Sequence, residues 1–95
     1  MSRVKKTFKI VNTLGLHARA AAGFVKLSNR FSSDVKIIKG DYEVNGKSIL
    51  GILSLAAARG TDIDIEVSGD DARDAAEEIA RFVENGFGEG AHTEN

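Results

Sequence analysis

One histidine lies where two kinds of sequence meet, and its neighbours suit the chemistry of phosphate. His17 follows an alternating, strand-like stretch and directly precedes a run of strong helix formers that starts at Ala18. At a helix N-terminus the first backbone N–H groups lack partners within the helix, so the position favours an anion, above all phosphate. Arg19 adds a guanidinium that matches phosphate oxygens, and Gly15 permits a tight turn. We therefore interpret His17 as a candidate phosphoryl acceptor.

The position of His17 also has a plainer interpretation. A lone histidine near a helix start often acts as a cap or as a surface side chain, and an arginine two residues later is common. Position alone therefore leaves both interpretations open.

Two blocks of the sequence resemble one known family. The run from Gly15 to Arg19, with Ala21 after it, looks like the active-site motif of the HPr family, the histidine phosphocarriers of the bacterial phosphotransferase system. The run from Asn45 to Leu55 resembles the regulatory serine region of that family. The order and separation of the two blocks also match, so the resemblance covers about residues 3 to 88.

The resemblance implies a relay protein rather than an enzyme, working without metal or cofactor. His17 would accept the phosphoryl group, at Nδ1 if the family pattern holds, from phosphorylated enzyme I, which is charged by phosphoenolpyruvate. Arg19 and the backbone amides of Ala18 and Arg19 would bind the phosphoryl oxygens. The group would then pass to an enzyme IIA-type acceptor in sugar uptake and its regulation. The family usually has proline at the position of Ala20, and this departure is expected to alter the rate of transfer more than transfer itself.

A second candidate site is Ser48, which precedes a short apolar run and is expected to cap a helix. The resemblance implies phosphorylation of Ser48 by HPr kinase/phosphorylase, and a phosphoserine at a helix N-terminus is stabilised by the same amides that stabilise the neutral cap. The apolar side chains of this short helix are expected to form part of a docking surface. Lys26, Arg30 and Lys47 could together steer an acidic partner toward that surface, whereas each of them taken alone is more simply a solvated side chain. The residues assigned to partner docking are Ala20, Phe24, Lys26, Lys47, Ile49, Leu50 and Leu53.

Composition limits the other classes of function. The chain has 95 residues, a net charge of −1, 42% hydrophobic and 28% charged residues, as is ordinary for a soluble globular protein. This charge argues against a general nucleic-acid binder, which needs a basic excess. The sequence has no apolar run of membrane-spanning length and no signal-peptide pattern, and it has no cysteine for a disulfide or a thiol nucleophile. We expect a cytoplasmic monomer whose partners include a transcriptional regulator as well as the phosphotransferase proteins.

The hydrophobic pattern predicts the element order β-α-β-β-α-β-α. This order indicates an α+β open-faced β-sandwich, with a four-stranded antiparallel sheet and three helices on one face. The HPr family has the same fold. Residues 1–88 are expected to form one domain, and residues 89–95, which include His92, a frayed tail. The predicted strands are residues 3–11, Asp34–Lys39, Tyr42–Val44 and Thr61–Val67, and the predicted helices are Ala18–Asn29, Ile49–Leu55 and Ala72–Glu84, the last with Asp71 as its N-cap.

Three alternative functions remain open. The chain could serve a regulatory, nitrogen-linked branch of phosphocarriers, which the run from Asn85 to Phe87 resembles, whereas the run from Lys47 to Ile49 favours carbon regulation. It could be a regulator that binds partners but no longer carries phosphate, with Ala20 as the trace of that loss. It could also be a small hydrolase with His17 as general base, although the sequence around His17 offers no acidic residue to orient it.

Overall fold

Four strands form one antiparallel sheet, and three helices lie against one face of it, as the sequence predicted. The computed structural model describes residues 2–88. The predicted tail at residues 89–95, with His92, therefore lies outside the described residues. The elements in chain order are β1 (Ser2–Lys9), α1 (Ala18–Ser28), β2 (Asp34–Lys39), β3 (Tyr42–Asn45), α2 (Ile49–Ser54), β4 (Asp62–Gly69) and α3 (Ala72–Glu84).

The sheet has the strand order β1-β4-β2-β3, so the last strand in sequence lies between the first two. Successive side chains of a strand point to opposite faces, and β4 alternates accordingly. Ile63, Ile65 and Val67 are buried toward the helices. The acidic residues between them face solvent and meet side chains of the neighbouring strands. Thr7 Oγ1 donates to Asp64 at 2.6 Å, for example, and opposite charges pair at Arg3–Glu66, Lys9–Asp62 and Lys36–Glu43.

The helices bury their apolar stripes on the other face of the sheet. Helix α3 packs on β1 and β4, and α1 packs against both α2 and α3. Three aromatic rings join the helices at one end of the core. The ring centroids of Phe24 and Phe87 are 6.2 Å apart, and Phe82 lies within 6.4 Å of both. Phe87 follows α3 and is 2% exposed, so the chain after the helix returns to the core.

The predicted bounds differ from the structure mainly at the two longest strands. Strand β1 ends at Lys9 rather than at residue 11, although Ile10 still exchanges backbone hydrogen bonds with Thr61 and Gly60. Strand β4 runs to Gly69, two residues beyond the prediction, since Ser68 and Gly69 pair with Arg3 and Ser2. A serine–glycine pair tends to break a strand, but here neighbouring strands supply backbone partners that override this local tendency.

Asp71 is the N-cap residue of α3, as predicted, and its carbonyl accepts the Ala75 N–H at 2.9 Å. Its side chain, however, makes no capping hydrogen bond to the helix. Its carboxylate instead accepts hydrogen bonds from the backbone N–H groups of Ser32 and Ser33, each at 3.0 Å, and from Ser33 Oγ at 2.5 Å. These bonds hold the pKa of the Asp71 carboxyl at about 2, below the ordinary 3.8, with the Ser33 hydroxyl as the largest cause and the Ser32 amide next. Asp71 thus ties the loop before β2 to the turn before α3.

Candidate functional site

The loop before α1 is folded tightly against the loop that follows α2. Gly15 has a φ of +67°, and a Cβ there would lie 2.5 Å from the carbonyl oxygen of Ala57. Only glycine adopts this conformation at so close an approach. The next residue, Leu16, donates its N–H to the same Ala57 oxygen at 2.9 Å. The backbone is therefore fixed immediately before the histidine.

His17 is the N-cap of α1, with an extended backbone at φ −85° and ψ −179°. Its Nδ1 accepts a hydrogen bond from the backbone N–H of Arg19 at 3.3 Å. A ring nitrogen that accepts a hydrogen bond carries its lone pair at that atom, so the proton of the neutral imidazole lies on Nε2. The half-buried ring therefore holds a nucleophilic nitrogen at the positive end of an 11-residue helix.

The predicted phosphate-binding groups lie beside this nitrogen in the chain. The first helical hydrogen bond runs from Ala21 N–H to the His17 carbonyl at 2.9 Å. The amides of Ala18 and Arg19 precede that bond, and both residues are exposed. A group attached to Nδ1 would take the place of the imidazole nitrogen as acceptor for the Arg19 N–H. The arrangement can hold a tetrahedral oxyanion without a metal ion.

Two residues assigned to partner docking lie in the core instead. Ala20 and Phe24 are both 0% exposed, and Phe24 packs on Phe82 and Phe87. A partner docked on this conformation cannot reach either side chain, so their assignment as contact residues is corrected. Both side chains pack the helix that begins beside His17 into the core.

Ser48 caps α2 as predicted, and its Oγ accepts the N–H of Gly51 at 3.0 Å. The three basic residues near the two helices differ in placement. Lys26 and Arg30 are exposed. The ammonium of Lys47 is instead engaged, because it donates to the Phe31 carbonyl at 2.7 Å.

The apolar residues of α2 divide between core and surface. Ile52 is fully buried, Leu53 is half-buried, and Ile49 and Leu50 are 41% and 80% exposed. A second exposed apolar group, not predicted from the sequence, lies on the loop that leads to His17 and is formed by Val11 and Leu14, which are 38% and 70% exposed. The only sequence signal for it was an apolar residue close before the candidate histidine.

The structure places His17 and Ser48 toward opposite ends of the paired helices α1 and α2. Leu16, just before α1, bonds to Ala57, which follows α2. At the other end, a Cβ on Gly46 would lie 3.1 Å from the ring of Phe24, in the middle of α1. The two helices therefore run antiparallel, and the two candidate sites lie on one helical layer without merging into one site.

Other classes of site find little support in the part of the chain that the structure describes. Within residues 2–88, no three histidine, cysteine, aspartate or glutamate side chains gather to hold a metal ion. No helix of that same segment has the length and apolar character needed to cross a membrane. A small apolar cavity lies between β1 and α3, lined by residues such as Val4, Phe8 and Ile79, and His17 does not line it.

The described residues thus define an open-faced α+β sandwich that presents a histidine nitrogen at the start of its first helix. Residues 4–85 match the family model described as the PTS HPr component phosphorylation site. The phosphocarrier protein HPr of Neisseria meningitidis serogroup A is 44% identical over 87 residues, which cover 92% of this chain and 98% of that protein.

Solved structures agree with the sequence comparison. The crystal structure of HPr-C-His from Thermoanaerobacter tengcongensis matches with a TM-score of 0.84 and 40% identity, covering 93% of this chain and 97% of that one. The crystal structure of Crh from Bacillus subtilis, described as a dimer with a swapped domain, matches with a TM-score of 0.72 and 40% identity, covering 87% and 95%. The chain belongs to the HPr family of phosphocarrier proteins of the phosphotransferase system.

Proposed function

We propose that this protein relays a phosphoryl group on Nδ1 of His17, from phosphorylated enzyme I to an enzyme IIA-type acceptor. The observation that supports the proposal is the hydrogen bond from Arg19 N–H to Nδ1, in which Nδ1 is the acceptor at the helix N-terminus. The bond between phosphorus and the donor nitrogen breaks as the bond from phosphorus to Nδ1 forms. The released Arg19 N–H then donates to a phosphoryl oxygen.

The electrostatics of the loop support such a relay. Transfer of a phosphoryl group depends mainly on positioning and on stabilising charge on its oxygens. The amides of Ala18 and Arg19 and the Arg19 guanidinium supply that stabilisation, and none of them forms a covalent bond in the step. His17 regains its lone pair when the group passes to the acceptor, so the protein is unchanged after each cycle and acts as a carrier rather than an enzyme.

We expect partners to dock on the exposed apolar side chains around the two helices, namely Val11, Leu14, Ile49 and Leu50 with Leu53 at their margin. Lys26 and Arg30 add positive charge suited to an acidic partner surface. Donor and acceptor would use the same surface in turn, which favours small and short-lived interfaces. We propose that residues 1–88 work in this way as one domain, in a single cytoplasmic copy.

The first test is incubation with phosphoenolpyruvate and enzyme I, read by intact mass before and after acid treatment. We expect one added phosphate that acid removes. His17→Ala should fold and stay unmodified, whereas His92→Ala, the matched change at the other histidine, should accept phosphate normally. A phosphate retained in the His17 variant would contradict the assignment. No phosphate in the parent protein, with a donor shown to be active, would favour the binding-only regulator.

We also propose that phosphorylation of Ser48 by a kinase of the HPr kinase/phosphorylase type regulates docking. A phosphate oxygen could accept the Gly51 N–H in place of Oγ, so the added charge would leave α2 in place while changing the surface beside Ile49 and Leu50. The sugar-uptake branch and the regulatory branch are distinguished by which enzyme IIA-type acceptor takes the group faster.

The regulatory role of Ser48 is tested with Ser48→Asp and the uncharged control Ser48→Ala. The aspartate should raise the KM for phosphorylated enzyme I about tenfold through charge at the docking surface, with little change in kcat. The alanine loses the cap, which lowers the free energy of unfolding by about 1 kcal/mol, but should keep the KM. Equal KM values for all three proteins would remove the proposed regulatory charge effect.

A further inference from the structure

Asn12 is a polar side chain buried at 1% exposure, at the start of the loop that leads to His17. Its Nδ2 donates to the Gly15 carbonyl at 2.7 Å. The Gly15 N–H in turn donates to the Asn12 carbonyl at 3.2 Å. The turn is therefore closed twice, once through the backbone and once through the carboxamide.

The Gly15 carbonyl also accepts the N–H of His17, at 3.0 Å. A carbonyl oxygen has two lone pairs and can serve both donors. The Asn12 carboxamide thus fixes the oxygen that in turn fixes the backbone N–H of the candidate phosphoryl acceptor. Leu16, between Gly15 and His17, is held from the other side by Ala57.

We propose that Asn12 is a positioning residue for phosphoryl transfer, acting through the Gly15 carbonyl to keep Nδ1 of His17 directed at the first amides of α1. This inference rests on the proposed function. Through its bond to the Gly15 carbonyl, Asn12 acts on the geometry of the histidine. A single asparagine before a turn carries no distinctive sequence signal of such a role.

The local nature of the bond argues for positioning rather than for general stability. A fully buried carboxamide is costly unless it is hydrogen-bonded, and an apolar side chain would fill the same space without that cost. The bond from Asn12 Nδ2 to the Gly15 carbonyl joins residues only three apart, so it acts within the loop that carries His17. The loop is already attached to the body of the protein by the Leu16–Ala57 bond.

The test compares Asn12→Ala and Asn12→Asp with the control Ser33→Ala. The aspartate has nearly the size of asparagine but, when ionised, cannot donate to Gly15, so it separates the hydrogen bond from side-chain volume. Ser33 is likewise buried and hydrogen-bonded, at the end of the molecule where Asp71 lies. Kinetics with phosphorylated enzyme I at pH 8 should show kcat reduced roughly tenfold or more in both Asn12 variants, with KM changed less than about twofold. Ser33→Ala should keep both constants while losing thermal stability.

Wild-type kcat in a folded Asn12→Ala or Asn12→Asp protein would overturn the proposal. NMR of the unphosphorylated proteins gives a second readout that needs no donor. The ¹⁵N shift of His17 Nδ1 and the amide shift of Arg19 should move in the Asn12 variants and stay in Ser33→Ala. If the parent protein accepts no phosphate, the proposed function fails, and unmoved shifts would separately show that Asn12 does not position the ring.

Discussion

At the scale of single residues, Gly15 has the most direct effect on where His17 lies. Its φ of +67° belongs to the left-handed region, and its α-carbon sits against the Ala57 carbonyl. Gly40, at the turn between β2 and β3, has a similar φ of +59°, but a Cβ there would meet nothing within 4 Å. The two glycines therefore share the same backbone requirement and differ in the space around them.

Replacing each of these glycines by alanine separates the two effects. Gly40→Ala should lower the free energy of unfolding by about 1 kcal/mol, the cost of a left-handed alanine. Gly15→Ala should cost more, roughly 2–4 kcal/mol, because the new methyl group must displace the Ala57 carbonyl as well. Chemical denaturation measures both values. Phosphoryl transfer should fall only in the Gly15 variant, and equal losses of stability in the two proteins would contradict the close contact with Ala57.

The site was predictable wherever the signal is local. Ser48 precedes an apolar run, and its capping bond to Gly51 needs no partner outside that segment. Ala20 and Phe24 show the opposite case. Both were assigned to partner docking, although they lie four residues apart and so share one face of a helix. The structure shows that this face is buried.

At the scale of elements, the segment that follows α3 packs against α1 through an aromatic contact. Phe87 has a φ of +59°, unusual for a bulky residue, and its N–H donates to the Phe82 carbonyl at 2.9 Å. This reversal turns the Phe87 ring back onto Phe24. The segment after Glu84 thus packs against the helix that carries His17. Its glycines indicate only that the apolar pattern of α3 has ended.

Phe87→Ala should lower the free energy of unfolding by about 3–5 kcal/mol, the usual cost of removing a buried phenyl ring. Tyr42→Ala is the matched control, because that aromatic side chain is 74% exposed and its loss should change stability by less than about 1 kcal/mol. Urea denaturation of the three proteins gives the comparison. A Phe87 variant as stable as the Tyr42 variant would show that the segment does not hold the helices together.

The order of the elements was predictable because each segment has a clear hydrophobic period. The contacts that hold the elements together were not predictable. The Phe24–Phe87 contact joins residues far apart in the chain, as does the Asp71–Ser33 bond. Asp71 was predicted as a helix cap from its position before an apolar stripe. Its carboxylate bonds to Ser32 and Ser33 instead of to the first amides of α3. A single sequence does not reveal that these two loops meet.

At the scale of the whole molecule, Asp71 couples acid stability to the joining of two loops. Its pKa is lowered in the folded state, so its contribution to stability is complete above the unfolded value of 3.8 and is lost as the pH falls through about 2. Asp71→Asn should therefore be less stable than the parent protein at neutral pH, and the difference should shrink between pH 4 and pH 2. Thermal melts across this range measure it. A difference that stays constant down to pH 2 would contradict the role of the carboxylate charge.

The sheet face that no helix covers offers a place for a fluorescent label away from His17. Lys5 lies on that face opposite Glu66, away from the helical layer that carries His17 and Ser48. The chain contains no cysteine, so Lys5→Cys would create a single attachment point for a fluorophore. A dye there would report rotation and energy transfer on docking without occupying the proposed docking surface. The relay could then be followed one encounter at a time.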